Sequence, residues 1–233
     1  MKVAGLLLIS ASAAAEPRSF TQTYDYPTLP EGDTEVALWH AQARDTWKSP
    51  SVQRFAEQLQ IEYGITDRLE SSLFTVFTQA TDQVFAFDSL RAQARYRFVD
   101  RGEWPVDVAL HCDAGKEFGR SEYDLSWRLE LARDFDRISA VGNLIGNYAL
   151  GHDVAKSEFT IGWAGGVTYE VVPKLRVGAE AWGDHIDGVT RTEVGPAIGL
   201  VPSPRLWLAL TAGFGVNNPS EAFSGQLIVG LRR

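Results

Sequence analysis

Three sets of side chains in this sequence have the types and spacing that chemistry would need. The first is a basic ladder, Arg91-x-x-x-Arg95-x-Arg97, whose even spacing puts three guanidinium groups on one face of an extended strand. Carboxylates on other strands can neutralise such a row. The second set lies on the next two segments, where Asp107, His111 and Asp113 precede Asp124, Arg128 and Glu130. Pairing about a loop centred near Phe118 to Arg120 sets His111 opposite Ser126 and Asp113 opposite Asp124. Hydroxyl, imidazole and carboxylate then share one neighbourhood, as nucleophilic attack on a lipid ester requires. A working triad also needs a fixed hydrogen-bond order and an oxyanion hole, which residue order does not supply, so no catalytic residue is assigned. The third set, Gly183-Asp184-His185-Ile186-Asp187-Gly188 with Gly151-His152-Asp153, offers oxygen and imidazole ligands. Its spacing matches neither an EF-hand nor a zinc site, so these are read as solvated loop residues, with no metal and no cofactor.

The elements that would carry these groups alternate with period two. Tyr123, Leu125, Trp127, Leu129 and Leu131 interleave with Asp124, Ser126, Arg128 and Glu130, giving one greasy face and one charged face. A charged inner face needs water or counter-charges. Parity extends that face to Gln58, Gln60, Glu62, Gln93, Glu158, Glu170, Arg176, Glu180, Glu193 and Arg232. Two uses follow: a lumen interlocked by Arg–carboxylate pairs, or a weakly selective pore in which Arg91, Arg95, Arg97, Arg128 and Arg176 face Glu62, Asp107, Glu130, Glu158 and Glu180.

Length and composition narrow the class. The 233 residues show no linker or composition shift that would divide them. Hydrophobic residues make up 45%, yet no run reaches the roughly 18 apolar residues of a helical span. Strands that cross a membrane escape that test, because only alternate residues face lipid. The net charge of -8 and the dispersed Lys and Arg argue against a nucleic-acid partner. Lys2, the apolar run Val3 to Ile9 and Ala13-Ala14-Ala15 form a secretory signal peptide over 1–15. The single Cys112 forms no intrachain disulfide.

After a Pro-rich periplasmic lead-in over 16–33, which either stays flexible or tucks into the barrel, alternation predicts strands at 34–43, 54–64, 69–79, 84–98, 106–117, 122–134, 138–148, 157–171, 175–183, 192–200, 205–215 and 223–232. The fold class is all-β, an antiparallel transmembrane β-barrel over 34–233 with twelve strands, ten being the competing count. Tight turns at Thr66-Asp67-Arg68, Asp134 to Arg137, Val172-Pro173-Lys174 and Pro202-Ser203-Pro204 alternate with longer polar connectors at 44–53, 149–156, 184–191 and 216–222. Short turns mark the periplasmic side and longer loops the outside. Tyr63, Tyr96, Phe98, Trp104, Phe135 and Tyr169 fall at the inner strand ends, where rings form an interfacial girdle.

Segments such as Glu62-Tyr63-Gly64-Ile65-Thr66-Asp67-Arg68-Leu69-Glu70 and Glu193-Val194-Gly195-Pro196-Ala197-Ile198-Gly199-Leu200 resemble the strand-turn-strand and penultimate-strand phrases of transporter-like bacterial outer-membrane barrels. The resemblance covers 34–233 and implies residence in a Gram-negative outer membrane, contact with lipid and lipopolysaccharide, delivery by the barrel-assembly machinery, and a monomer. Such proteins usually end on an aromatic residue; this chain ends Leu231-Arg232-Arg233. The His-x-Ser-Asn motif of the twelve-stranded outer-membrane phospholipase is absent, which leaves a passive channel for small polar solutes as the expected function. A plugged barrel that binds through its loops, and a secreted β-sandwich whose apolar face meets a second sheet, are the alternatives.

Overall fold

Twelve strands form one closed antiparallel sheet in the computed structural model, which describes residues 18–47, 53–81, 83–118, 122–151 and 159–233. They are β1 (Thr34–Arg44), β2 (Gln53–Thr66), β3 (Leu69–Ala80), β4 (Ala86–Arg97), β5 (Asp107–Glu117), β6 (Glu122–Phe135), β7 (Ile138–Gly151), β8 (Phe159–Val172), β9 (Leu175–Ile186), β10 (Val189–Ser203), β11 (Leu206–Gly215) and β12 (Phe223–Arg232). Each strand pairs with its sequence neighbours, and β12 returns to β1 from Glu35↔Arg232 to Arg44↔Phe223. Closure removes the free edges that a half-apolar sheet would otherwise expose to lipid. The twelve-strand count therefore prevails over ten, and a two-sheet sandwich is excluded. The signal peptide over 1–15 lies outside the described residues.

Alternation determines which side chains meet lipid. Leu38, Leu59, Leu73, Leu125, Leu144, Val167 and Leu210 are exposed around the outer wall, each between inward neighbours that are more buried. Tyr63, Tyr96, Phe98, Trp104, Phe135 and Tyr169 are also exposed at the ends of strands nearest the chain termini, as a girdle requires. Loss of a ladder donor shapes β10: its pairing to β11 skips Gly195 and Pro196, and its register shifts between Leu200 and Ser203 around Pro202.

Two expectations are corrected. The connector at 184–191 is no long loop: β9 and β10 pair up to Ile186↔Val189, leaving only Asp187 and Gly188 between them. Both have positive φ, 50° and 79°, the geometry of a type I′ hairpin and the reason an Asp-Gly pair stands there. The β5–β6 register is also displaced by two residues from that expected, giving His111↔Arg128, Asp113↔Ser126 and Gly115↔Asp124. The hairpin centre lies nearer β6 than the loop sequence suggested.

The segment before β1, expected either to stay flexible or to tuck into the barrel, runs inside it from Arg18 to Leu29. Phe20, Tyr24, Tyr26 and Leu29 are buried there, and two apolar clusters form only because these side chains meet inward residues of the wall. Tyr24 joins Ala37, Trp39, Phe74 and Ile228; Phe20 and Tyr26 join Ala109, Val141 and Ala197. Gly166 makes room for this, since a Cβ there would overlap the Phe20 ring. The segment leaves the lumen along β2, where Gly32 N–H donates to the Gly64 carbonyl at 2.9 Å and Gly64 N–H to Asp33 at 3.0 Å.

Candidate functional site

The lumen collects the charged residues that parity placed inward and binds them to the N-terminal segment. An extended segment inside a barrel has no ladder for its backbone, so wall side chains must satisfy it. Glu180 on β9 does most of this, accepting the N–H groups of Thr21 (3.3 Å), Gln22 (2.7 Å) and Thr23, together with the Thr211 hydroxyl at 2.8 Å. One carboxylate thus serves three successive amides. Asn143 on β7 pairs with Tyr24 in both directions, accepting its N–H at 2.6 Å and donating to its carbonyl at 3.0 Å. Arg128 donates to the Gln22 carbonyl at 2.8 Å, Arg95 to the Asp25 carbonyl at 2.9 Å, and Leu29 N–H donates to Glu70 at 2.7 Å.

Tyr24 is the centre of this arrangement. The guanidinium groups of Arg18 and Arg128 lie 4.1 and 4.2 Å from its ring centroid, and the His111 ring lies 5.2 Å away. Stacking on an aromatic face lets two cations approach closely inside a poorly solvated lumen. Arg18 also pairs with Glu62 at 3.1 Å.

The basic ladder is neutralised rung by rung. Arg91 pairs with Asp113 at 2.7 Å, and Arg95 with Glu70 at 2.6 Å and with Glu130 at 3.9 Å. Arg97, at the end nearest the chain termini, pairs with Asp100 at 3.2 Å and donates to the Asp67 carbonyl at 2.9 Å. His111 sits between Glu130 (3.6 Å) and Asp113 (3.9 Å). Near the turns at that same end, Arg176 pairs with Glu170 at 3.2 Å and Asp107 accepts the Gly102 N–H at 2.7 Å. Asp124 stands toward the opposite end, across from Gly115. Glu158 lies outside the described residues. Arg91, Arg95, His111, Asp113, Arg128 and Glu130 thus gather around Tyr24; Glu180 joins them only through the segment, and Asp107, Arg97 and Arg176 stand apart.

Ser126 donates its hydroxyl hydrogen to Asp113, while His111 approaches that carboxylate from elsewhere. The order is hydroxyl to carboxylate, whereas attack by serine requires hydroxyl to imidazole. No cluster of three or more metal-ligating side chains occurs among the described residues.

On the side of the segment facing away from the termini, the lumen opens into a cavity of about 440 Å³, with Gln22 and Tyr24 at its base. Its wall combines rings (Trp39, Trp182) with charges of both signs (Arg91, Arg128, Asp184, Glu193). Arg191 grips Asp184 with two hydrogen bonds, at 2.8 and 2.6 Å. Sequence reasoning missed Arg18, Gln22, Tyr24, Glu70 and Asn143 as luminal contacts. A signal was present: 18–29 holds Phe20, Tyr24, Tyr26 and Leu29, more large apolar side chains than a solvated linker needs.

No protein-family model and no curated protein matches this chain. Solved structures do share its architecture. An outer-membrane channel from Pseudomonas putida F1 aligns with a TM-score of 0.67 at 13% identity, over 90% of this chain and 98% of that one. The NanC porin aligns with a TM-score of 0.56 at 11% identity, over 84% and 97%. The KdgM porin, in complex with disordered oligogalacturonate, aligns with 0.55 at 10% identity, over 85% and 97%. With its apolar belt and closed twelve-strand sheet, this chain has the fold of outer-membrane β-barrel channels and porins.

Proposed function

We propose that this protein is a passive outer-membrane channel for small polar or charged solutes, narrowed by its own N-terminal segment. The observation that carries the reading is the 440 Å³ cavity walled by charges of both signs on a lipid-facing barrel. A barrel meant only as a membrane scaffold would gain by filling that volume with side chains. Because Arg91 is held by Asp113 and Arg191 by Asp184, neither sign dominates the wall, and selectivity by charge should be weak. The fold similarity to channels and porins is consistent with this use.

One observation favours a second reading, a plugged structural barrel: Arg18 to Leu29 is held at many points. Planar-bilayer recordings of the full-length protein beside a control porin test the two. Discrete current steps, smaller than the control's and with a cation-to-anion permeability ratio within about threefold of unity, are expected for a mixed-charge lumen. No current where the control conducts would refute the channel and leave the plugged barrel.

A further inference from the structure

The outer wall is largely apolar, and β1 is one of the places where it departs from that, others being Thr75 and Gln79 on β3 and, on β5, Lys116 over the Tyr123 ring. Along β8 the outward residues Val167, Trp163, Ile161 and Phe159 stay apolar to the end remote from the termini. Along β1 the outward series begins with Val36 and Leu38, then changes to His40, Gln42 and Arg44. His40 faces Glu57 of β2 in register, and the two pair at 2.5 Å with their side chains 41% and 33% exposed. A His–Glu pair on a lipid-facing wall is costly in hydrocarbon and marks a place where the neighbour is polar.

Above this pair, Gln42, Arg44, Trp47, Phe55 and Phe223 line a notch of about 200 Å³. Trp47 and Phe223 pack at 6.0 Å, and Arg44 lies 5.9 Å from the Trp47 ring. The nearby acids Asp45 and Glu221 are both taken by Arg54, so Arg44 has no carboxylate partner among the described residues. Read downward, the strip offers a cation, an amide beside aromatic walls, a polar pair, and then Leu38 and Leu59. That is the complement of an amphiphile with an anionic head, a ring-bearing polar region and acyl chains.

We infer that this strip on β1 and β2 docks a phosphorylated glycolipid of the outer leaflet, lipopolysaccharide, with Arg44 on phosphate. The Trp47, Phe55 and Phe223 rings take the apolar face of the sugar, and Gln42 with the His40–Glu57 pair meets its hydroxyl and amide groups. The aromatic walls favour a sugar over the glycerol of a phospholipid, because a flat ring face has C–H groups to stack. The inference rests on the outer-membrane orientation of the barrel but not on conduction.

The test is native mass spectrometry of the full-length protein in detergent, titrated with bis-phosphorylated lipid A and, separately, with phosphatidylglycerol. One lipid A per barrel is expected at the lowest concentrations, with phosphatidylglycerol retained at least tenfold less well. Arg44→Ala should weaken lipid A retention about fivefold, the effect of one interfacial cation, while Arg44→Lys should keep it within about twofold. The double change His40→Leu with Glu57→Leu should weaken retention about threefold without leaving a lone charge in lipid. Arg133→Ala, at a cation near a periplasmic turn, should change nothing. Equal retention of the two lipids, or unchanged lipid A binding in Arg44→Ala, would overturn the inference. Intact conductance in that event would leave the channel reading standing.

Discussion

The two faces of the same strands obey different rules. Outside, most residues answer only to lipid, and alternation alone accounts for Leu38, Leu125, Leu144, Val167 and Leu210. Inside, a residue answers to whatever shares the lumen, and here that is a segment from outside the sheet. Glu180 has no cation partner among the described ion pairs and is nonetheless satisfied, because three backbone amides and Thr211 surround it. An inward carboxylate in a barrel is thus as much a potential backbone acceptor as a selectivity charge. The lumen is divided in turn, its lower part narrowed by packing against the segment and its upper part open and polar.

Changes on the inner face should disturb the segment while the wall stays intact. The largest effect is expected for Glu180→Ala, which strips the buried amides of Thr21 and Thr23 and the half-buried amide of Gln22 of their acceptor, at about 1–3 kcal/mol for each buried one. Residues 18–29 should then become accessible to protease while heat-resistant migration of the barrel on a gel persists. Tyr24→Leu removes two cation–π contacts and the stacking on Trp39, a loss of about 1–3 kcal/mol in docking. Amide exchange at Gln22 to Asp25 should rise accordingly. Gly166→Ala forces the Phe20 ring aside at about 1–2 kcal/mol and should loosen the segment near Phe20 more than near Tyr24. The smallest effect on the lumen belongs to Gly188→Ala, which strains an outer turn at φ 79° by about 1 kcal/mol. Barrel unfolding should shift slightly there and exchange at Gln22 to Asp25 not at all; a rise would mean that the two faces are coupled.

The wall was legible because its signal is local. Tyr123 to Leu131 alternates strictly, and Val172-Pro173-Lys174 needs no partner to read as a turn. The Asp187-Gly188 hairpin was missed because polar neighbours such as Asp184 and His185 look like loop when their cross-strand partners Arg191 and Thr190 are unknown. The Ser126 register failed for a similar reason, since hairpin centring depends on where the loop begins and not on its composition. Arg91, Arg95, Arg128 and Glu180 stand on the inward parity of their strands, but pairing partners such as Asn143 and Glu70 depend on distant contacts. The segment's course inside the barrel depends on contacts more than a hundred residues away, as between Tyr24 and Asn143, which periodicity does not encode.

On the proposed function, the N-terminal segment held by Glu180 narrows an otherwise open channel. The most direct measurement is single-channel conductance of the wild type and of Glu180→Ala in the same bilayer and salt. A small wild-type step is expected, and in the variant a step at least twofold larger with more frequent openings. Identical steps in the two proteins, or no current in either, would contradict it.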